Sequence, residues 1–206
     1  MRLIIVRHGQ TGWNEQGRLQ GITDKNISKI GLLQAKSVAK ELAKEKIGMI
    51  YTSKLKRAVR TAEEIKKFHK NIKIIKAKEL NEMSWGIWEG LTWNSIKKNY
   101  SGLYEIIKNN RFNFKVPEGE SLSVLKARLD KFLKKIAIKN KDRTLLIVGH
   151  LNVNRILIGI LLKWSNQKIA STKIYNASIT IIDARNGTSK LTLFNSHMIP
   201  NGSLPR

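Results

Sequence analysis

Leu3, Ile4, Ile5 and Val6 form an unbroken apolar run that leads straight into Arg7-His8-Gly9. A run without polar alternation reads as a strand covered on both faces, typical of a mainly parallel sheet, and ligands bind beyond the carboxyl ends of such strands. Arg7 and His8 fall at that end. A permanently charged guanidinium beside an imidazole disfavours the imidazolium, so the pair favours a neutral, nucleophilic histidine and offers a fork of donors to an anion such as a phosphoryl group. Gly9 lets the backbone turn sharply. A second apolar, β-branched run at 144–148 ends in Gly149-His150, so two strands deliver a histidine to the same end of a sheet. The segment 53–62 follows a short strand at 49–52 and opens a helix. Its first turn can offer free backbone donors and Arg57 to an anion, with Ser53 as the N-cap.

Around these points the chain reads as one α/β domain, 1–206: a three-layer sandwich with a mainly parallel central sheet, helices on both faces and a small cap insert. Ser28 caps a helix to about 46, on which Ile30, Leu33, Val38 and Leu42 keep the helical period. A helix over 55–69 and a strand over 72–77, with Ile72, Ile74 and Ile75 packed inward, complete a βαβ beginning. Residues 81–120 carry no strong strand, only short helical stretches at 92–100 and 103–109 among Gly, Asn and Pro, and they read as the cap. Regular order resumes with a helix at 121–138, a strand at 144–148, a helix at 152–162, and a hairpin of 178–183 and 190–194 around Asn186-Gly187. Residues 195–206 read as a loose tail. Seven of the 14 aromatics lie in the cap. They can form its own small core or a wall for the non-phosphate part of a ligand, with Trp85 and Trp88, joined by Gln20, as the candidate wall residues.

Composition narrows the class. The chain has no cysteine, hence no disulfide and no thiolate metal site, which is compatible with a reducing cytosol. No apolar stretch approaches the ~20 residues of a membrane span, and the first strand is too short for a signal-peptide core, so a soluble, cytoplasmic protein is expected. His69 on a lysine-rich helix and His197 in the tail read as surface residues, and no histidine or carboxylate pattern has metal-ligand spacing. The formal charge is +24, from 39 Lys and Arg against 15 Asp and Glu. Such an excess attracts polyanions non-specifically. Twenty-eight of the 39 are lysines spread over helices and loops without a nucleic-acid-binding motif, so the excess reads as surface charge on an enzyme of anionic substrates.

Taken together, Arg7-His8-Gly9-Gln10-Thr11 with Asn14, Gly17-Arg18-Leu19-Gln20-Gly21, Ser53-x-Leu55-x-Arg57-x-x-x-Thr61-Ala62, Leu80-x-Glu82, Gly86-x-Trp88-Glu89-Gly90, Glu118-Gly119-Glu120-Ser121 and Val148-Gly149-His150 resemble the histidine phosphatase superfamily, whose fold is shared with phosphoglycerate mutase. The motifs stand in the family's order from residue 2 to about 180. The resemblance implies phosphoryl transfer through a phosphohistidine on His8, with Arg7, Arg57, His150 and Asn14 around the phosphate and Glu82 as acid and base, using neither cofactor nor metal. Leu151 departs from the glycine that many relatives carry after the second histidine. Mutase relatives use a longer insert bearing paired arginines, whereas Arg111 is the only arginine between Arg60 and Arg128, so the insert favours a phosphatase of small phosphomonoesters over a mutase. Phosphoserine, sugar phosphates and a ribazole phosphate are the substrate types implied, and a homodimer is allowed. A basic nucleic-acid-binding protein that keeps a vestigial site is the competing expectation.

Overall fold

The computed structural model describes residues 1–185 and 187–197. Six strands, β1 (Arg2–Arg7), β2 (Met49–Thr52), β3 (Ile74–Lys76), β4 (Thr144–Gly149), β5 (Ser178–Arg185) and β6 (Thr188–His197), form one sheet in the order β3-β2-β4-β1-β5-β6. The pairs β3-β2, β2-β4 and β4-β1 are parallel, β5 is antiparallel to β1, and β6 is antiparallel to β5. The helices are α1 (Gly12–Glu15), α2 (Lys29–Glu41), α3 (Lys56–Lys66), α4 (Trp93–Asn99), α5 (Ser101–Asn109), α6 (Leu122–Lys139), α7 (Leu151–Leu161) and α8 (Asn166–Ser171). The α/β sandwich expected from the pattern is therefore the fold observed.

The unbroken apolar run of β1 has a direct cause in the two cores. Leu3 and Ile5 face one core with Leu145 and Ile147 of β4, covered by Leu125, Leu129 and Phe132 of α6 and Val153, Ile156 and Leu157 of α7. Ile4 and Val6 face the other with Leu146, Val148 and Ile50, covered by Val38 and Leu42 of the α2 region and Ala58, Ala62 and Ile65 of α3. Each fully buried aliphatic side chain contributes about 1.5–3 kcal/mol, so alternation would forfeit one layer.

Several local readings are corrected. Ser28 does cap α2, accepting from Gly31 N at 3.0 Å. Ile30 and Leu33, however, are exposed, and the buried stripe is Gly31, Ala35, Val38, Ala39 and Leu42, because the small residues admit close approach to the loop after β1. Ile75 also faces outward on the edge strand β3, with Ile72 and Ile74 only partly covered. The hairpin strands run longer than expected. β6 continues through His197 into the segment read as a loose tail, and residues 198–206 lie outside the described residues. His197 sits opposite Ser178 with its ring 5.5 Å from that of Tyr175, so it is half-buried at a strand end. His69 is buried where the chain turns after α3 and meets the backbone at Leu42.

The insert joins the α6-α7 side of the molecule. Trp88 has no exposed surface and lies at the centre of an aromatic group, stacked on Trp85 at 6.5 Å and on Phe114 at 5.9 Å, with Trp93 edge-on at 6.2 Å. Trp85 is buried as well. The two tryptophans expected in a ligand wall pack in the insert's own core, where stacking large rings on one another takes their apolar area out of water.

Candidate active site

The register of β1 on β4 builds the site. Arg7 pairs with Gly149 in the parallel ladder, so the next residues, His8 and His150, leave the sheet side by side. His8 N donates to Gly149 O at 3.1 Å, and the two imidazole centroids are 5.1 Å apart. Gly9 is required here: a Cβ would overlap the Gly31 carbonyl, and its N–H donates to Thr61 Oγ1 at 3.0 Å, tying the strand end to α3. Thr11 and Asn14 form a capping box on the short helix α1.

The expected phosphate-binding residues converge. His8 is almost fully buried, and its Nδ1 lies 2.7 Å from Gly9 O. A carbonyl only accepts, so the proton is on Nδ1 and Nε2 carries the lone pair. Burial first, then the positive charges of Arg57 and Arg7, holds His8 well below the usual histidine range, which keeps the ring neutral. Arg57, on the first turn of α3, donates through Nε to His150 Nδ1 at 3.2 Å, and through its two terminal nitrogens to Thr23 O at 2.9 Å and Gly21 O at 2.6 Å. A guanidinium only donates, so His150 carries its proton on Nε2, 2.8 Å from Ser53 Oγ. His150 too is held far below its ordinary value, by burial first and then by Arg57, His8 and Arg7. Arg7 donates to Ile174 O at 2.7 Å; burial lowers it to about 10, Glu82 opposing and Arg57 reinforcing that shift. Arg57 is likewise lowered to about 10 by burial, against the pull of Glu82, Asp24 and Glu89. Both guanidinium groups remain charged at neutral pH.

Glu82 lies within the field of Arg7 and Arg57, buried, with Oε1 accepting from Met83 N at 2.8 Å and Oε2 from Asn152 N at 3.2 Å. Asn14 turns Oδ1 toward Thr11 N and toward Asn176 Nδ2 at 3.2 Å, leaving its own Nδ2 as the donating end. Gln20 is buried beside this group: its Oε1 accepts from Thr11 Oγ1 at 2.9 Å and its buried Nε2 has no partner among the described residues, the one wall candidate that stays at the site. Leu151 opens α7 directly after His150 and packs its side chain toward the α6-α7 core.

Four further residues support the site in ways the sequence does not announce. Ser53 is not the cap of α3, which begins at Lys56 after Leu55; its hydroxyl meets His150 instead. Asn176, on the loop before β5, donates to His8 O at 3.1 Å. Arg128 of α6 grips the carbonyls of Glu79 at 2.7 Å and Asn81 at 3.0 Å and pairs with Glu120 at 2.8 Å, fixing the turn that presents Glu82. Glu89 binds the loop 21–23. Ser53, Glu89 and Glu120 stood inside recognised motifs, whereas nothing local marks Arg128 or Asn176, 46 and 94 residues beyond Glu82.

A family model described as the histidine phosphatase superfamily (branch 1) matches residues 3–197. Phosphoserine phosphatase 1 of Hydrogenobacter thermophilus is 32% identical over 196 residues, covering 94% of this chain and 92% of that protein. Among solved structures, a phosphoserine phosphatase of Entamoeba histolytica, a histidine-to-alanine variant in complex with phosphoserine, superposes with a TM-score of 0.84 at 28% identity, covering 95% of this chain and 96% of that one. An alpha-ribazole phosphatase from Shigella flexneri gives a TM-score of 0.88 at 24% identity over 98% of this chain and all of that one, a likeness of fold alone.

Proposed function

Since the chain belongs to the histidine phosphatase superfamily, we propose that it hydrolyses small phosphomonoesters through a phosphohistidine on His8, with Glu82 as the acid and base. The observation that carries this reading is the pairing of two neutral, buried histidines by strand register beneath Arg7 and Arg57. Nε2 of His8 attacks phosphorus in line as the P–O bond to the alcohol breaks, and Glu82 delivers a proton to the departing oxygen. Water then attacks phosphorus in line, from the side the alcohol vacated and opposite His8, Glu82 takes its proton, the P–N bond breaks, and phosphate leaves with His8 restored. Arg7, Arg57 and the Nε2–H of His150 surround the equatorial oxygens, with Nδ2 of Asn14 as a further donor. Such transfer rests on positioning and charge stabilisation, which buried cations at strand and helix ends supply.

Hydrolysis is favoured over mutase-type transfer by the insert's single arginine. Arg155 of α7 lies in the same electrostatic field as Arg111, with its terminal nitrogens on Ala170 O at 2.9 Å and on Asn152 Oδ1. The similarity to phosphoserine phosphatases puts phosphoserine first among candidate substrates. A panel of phosphoserine, sugar phosphates, 3-phosphoglycerate and nitrophenyl phosphate tests the reading. Free phosphate should be released without bisphosphoglycerate priming, and acyl-free, alkali-stable label should accumulate on His8. Efficient interconversion of 2- and 3-phosphoglycerate that depends on added bisphosphate would replace hydrolase by mutase.

A further inference from the structure

We infer that Glu89 is a positioning residue for Arg57, acting through the backbone of residues 21–23. The inference rests on the reading of Arg57 as a phosphate ligand. Glu89 lies after the turn at 86–88 and is itself half-buried. Its Oε1 accepts from Ile22 N at 2.9 Å and Trp85 N at 3.1 Å, and its Oε2 accepts from Thr23 N at 2.8 Å and from Thr23 Oγ1. One carboxylate therefore joins the insert to the loop that follows α1. The carbonyls of that loop receive Arg57: Gly21 O takes one terminal nitrogen and Thr23 O the other.

The planar peptide makes this a transmitted constraint. In a trans peptide the C=O of one residue and the N–H of the next point in opposite directions. The Gly21–Ile22 peptide donates to Glu89 on one side and accepts from Arg57 on the other, so fixing its N–H aims its carbonyl. Polarisation by the carboxylate also makes that carbonyl a better acceptor. Arg57, held at both terminal nitrogens, then presents Nε to His150 Nδ1, which completes a path from the insert to the second histidine. Gly21 is shaped for this: its φ is +53°, and a Cβ there would overlap the Glu89 carboxylate. Backbone donors meet both oxygens of Glu89, so a carboxamide must place its NH₂ against one of them. Glu89→Gln is thus a near-isosteric break in the clamp.

The test pairs Glu89→Gln and Glu89→Ala with Arg57→Ala, assayed on nitrophenyl phosphate well below the unfolding midpoint of each variant, and follows the ¹⁵N signal of His150 Nδ1. A misdirected Arg57 should lower kcat/KM by about 100-fold in Glu89→Ala, with a smaller loss in Glu89→Gln. The Arg57→Ala/Glu89→Ala double variant should be no slower than Arg57→Ala, because the two act as one unit. In Glu89→Gln the His150 Nδ1 signal should shift in the same direction as in Arg57→Ala. Fully additive losses, or a His150 signal untouched by Glu89→Gln, would overturn the inference while leaving the phosphatase reading in place. A wild-type rate in Arg57→Ala would instead remove Arg57 from phosphate binding, and the positioning role with it.

Discussion

The histidine-bearing end of the site and the insert at 81–120 hold their key side chains by different means. At the histidine end each group sits on the terminus of a regular element: Arg7 and His8 at the end of β1, His150 between β4 and α7, Arg57 on the first turn of α3. Ladder register and helix starts set their positions, and their polar atoms are held by backbone carbonyls, by each other and, for His150 Nε2, by Ser53 Oγ. In the insert no long element exists, and Trp85, Trp88 and Phe114 take their places by packing on one another. Changes at the first should therefore strike chemistry with little effect on stability, and changes at the second should do the reverse.

The largest expected effect tests the first half of that contrast. His8→Ala should lower turnover of nitrophenyl phosphate on the order of 10⁴-fold or more, as loss of a covalent nucleophile does, with an unfolding midpoint close to wild type. His69→Ala, at a buried position away from the paired strand ends, and His197→Ala should keep their turnover per folded molecule. Near-normal turnover in the His8 variant would end the phosphohistidine reading.

Glu82→Gln should slow hydrolysis of alkyl phosphates by about 10²–10⁴-fold and that of nitrophenyl phosphate far less, since only the alkoxide needs a proton. Equal losses on both leaving groups would take Glu82 out of the acid role. In the insert, Trp88→Ala should cost about 3–5 kcal/mol of stability, the range for emptying a large aromatic site, while kcat of the folded fraction stays nearly unchanged. A raised KM without a fall in stability would instead return Trp88 to the substrate wall.

The smallest effect lies in pH dependence. His8 and His150 stand well below 6.5 in the folded state, by burial first and then by Arg57. Above about pH 6.5 neither the folded nor the unfolded chain protonates these rings, and their contribution is flat. Below it the unfolded chain takes up protons that the native site refuses, so stability falls as pH drops through 6.5 toward the folded values. Activity should stay level through this range instead of following a free histidine. Arg57→Ala should move its acid limb upward, toward 6.5. An acid limb already at 6.5 in wild type would show that the site is more hydrated than its burial indicates.

Much of the histidine-bearing end was legible because it depends on short-range rules. An unbroken apolar strand needs cover on both faces, and its carboxyl end is a ligand edge, so Leu3 to His8 and Leu145 to His150 could be read residue by residue. Ser28 announced its helix for the same local reason, a side-chain oxygen meeting unpaired N–H groups, and the structure shows Ser121 capping α6 in the same way. Other residues were misread because their surroundings come from distant chain. Ile30 and Leu33 match a helical period as well as the true stripe does, and only the close approach of Gly31 to the Gln10 backbone turns the helix the other way. Ser53 looks like a cap until α3 begins three residues later and His150 arrives from 97 residues away.

Sequence by itself determined the α/β class, the two histidine-bearing strand ends and the arginine at the start of α3, since each follows from local patterning or from motifs of a few residues. Tertiary structure alone decided the rest. The one-to-one register of Arg7 on Gly149 brings the histidines together, and the aromatic core of the insert claims Trp85 and Trp88. Likewise, Arg128, Asn176 and Glu89 reach the site across folds of the chain. The physical reason is one of range: propensity, capping and periodicity act over a few residues, whereas hydrogen bonds between distant segments and dense packing exist only once the two cores have closed around the sheet.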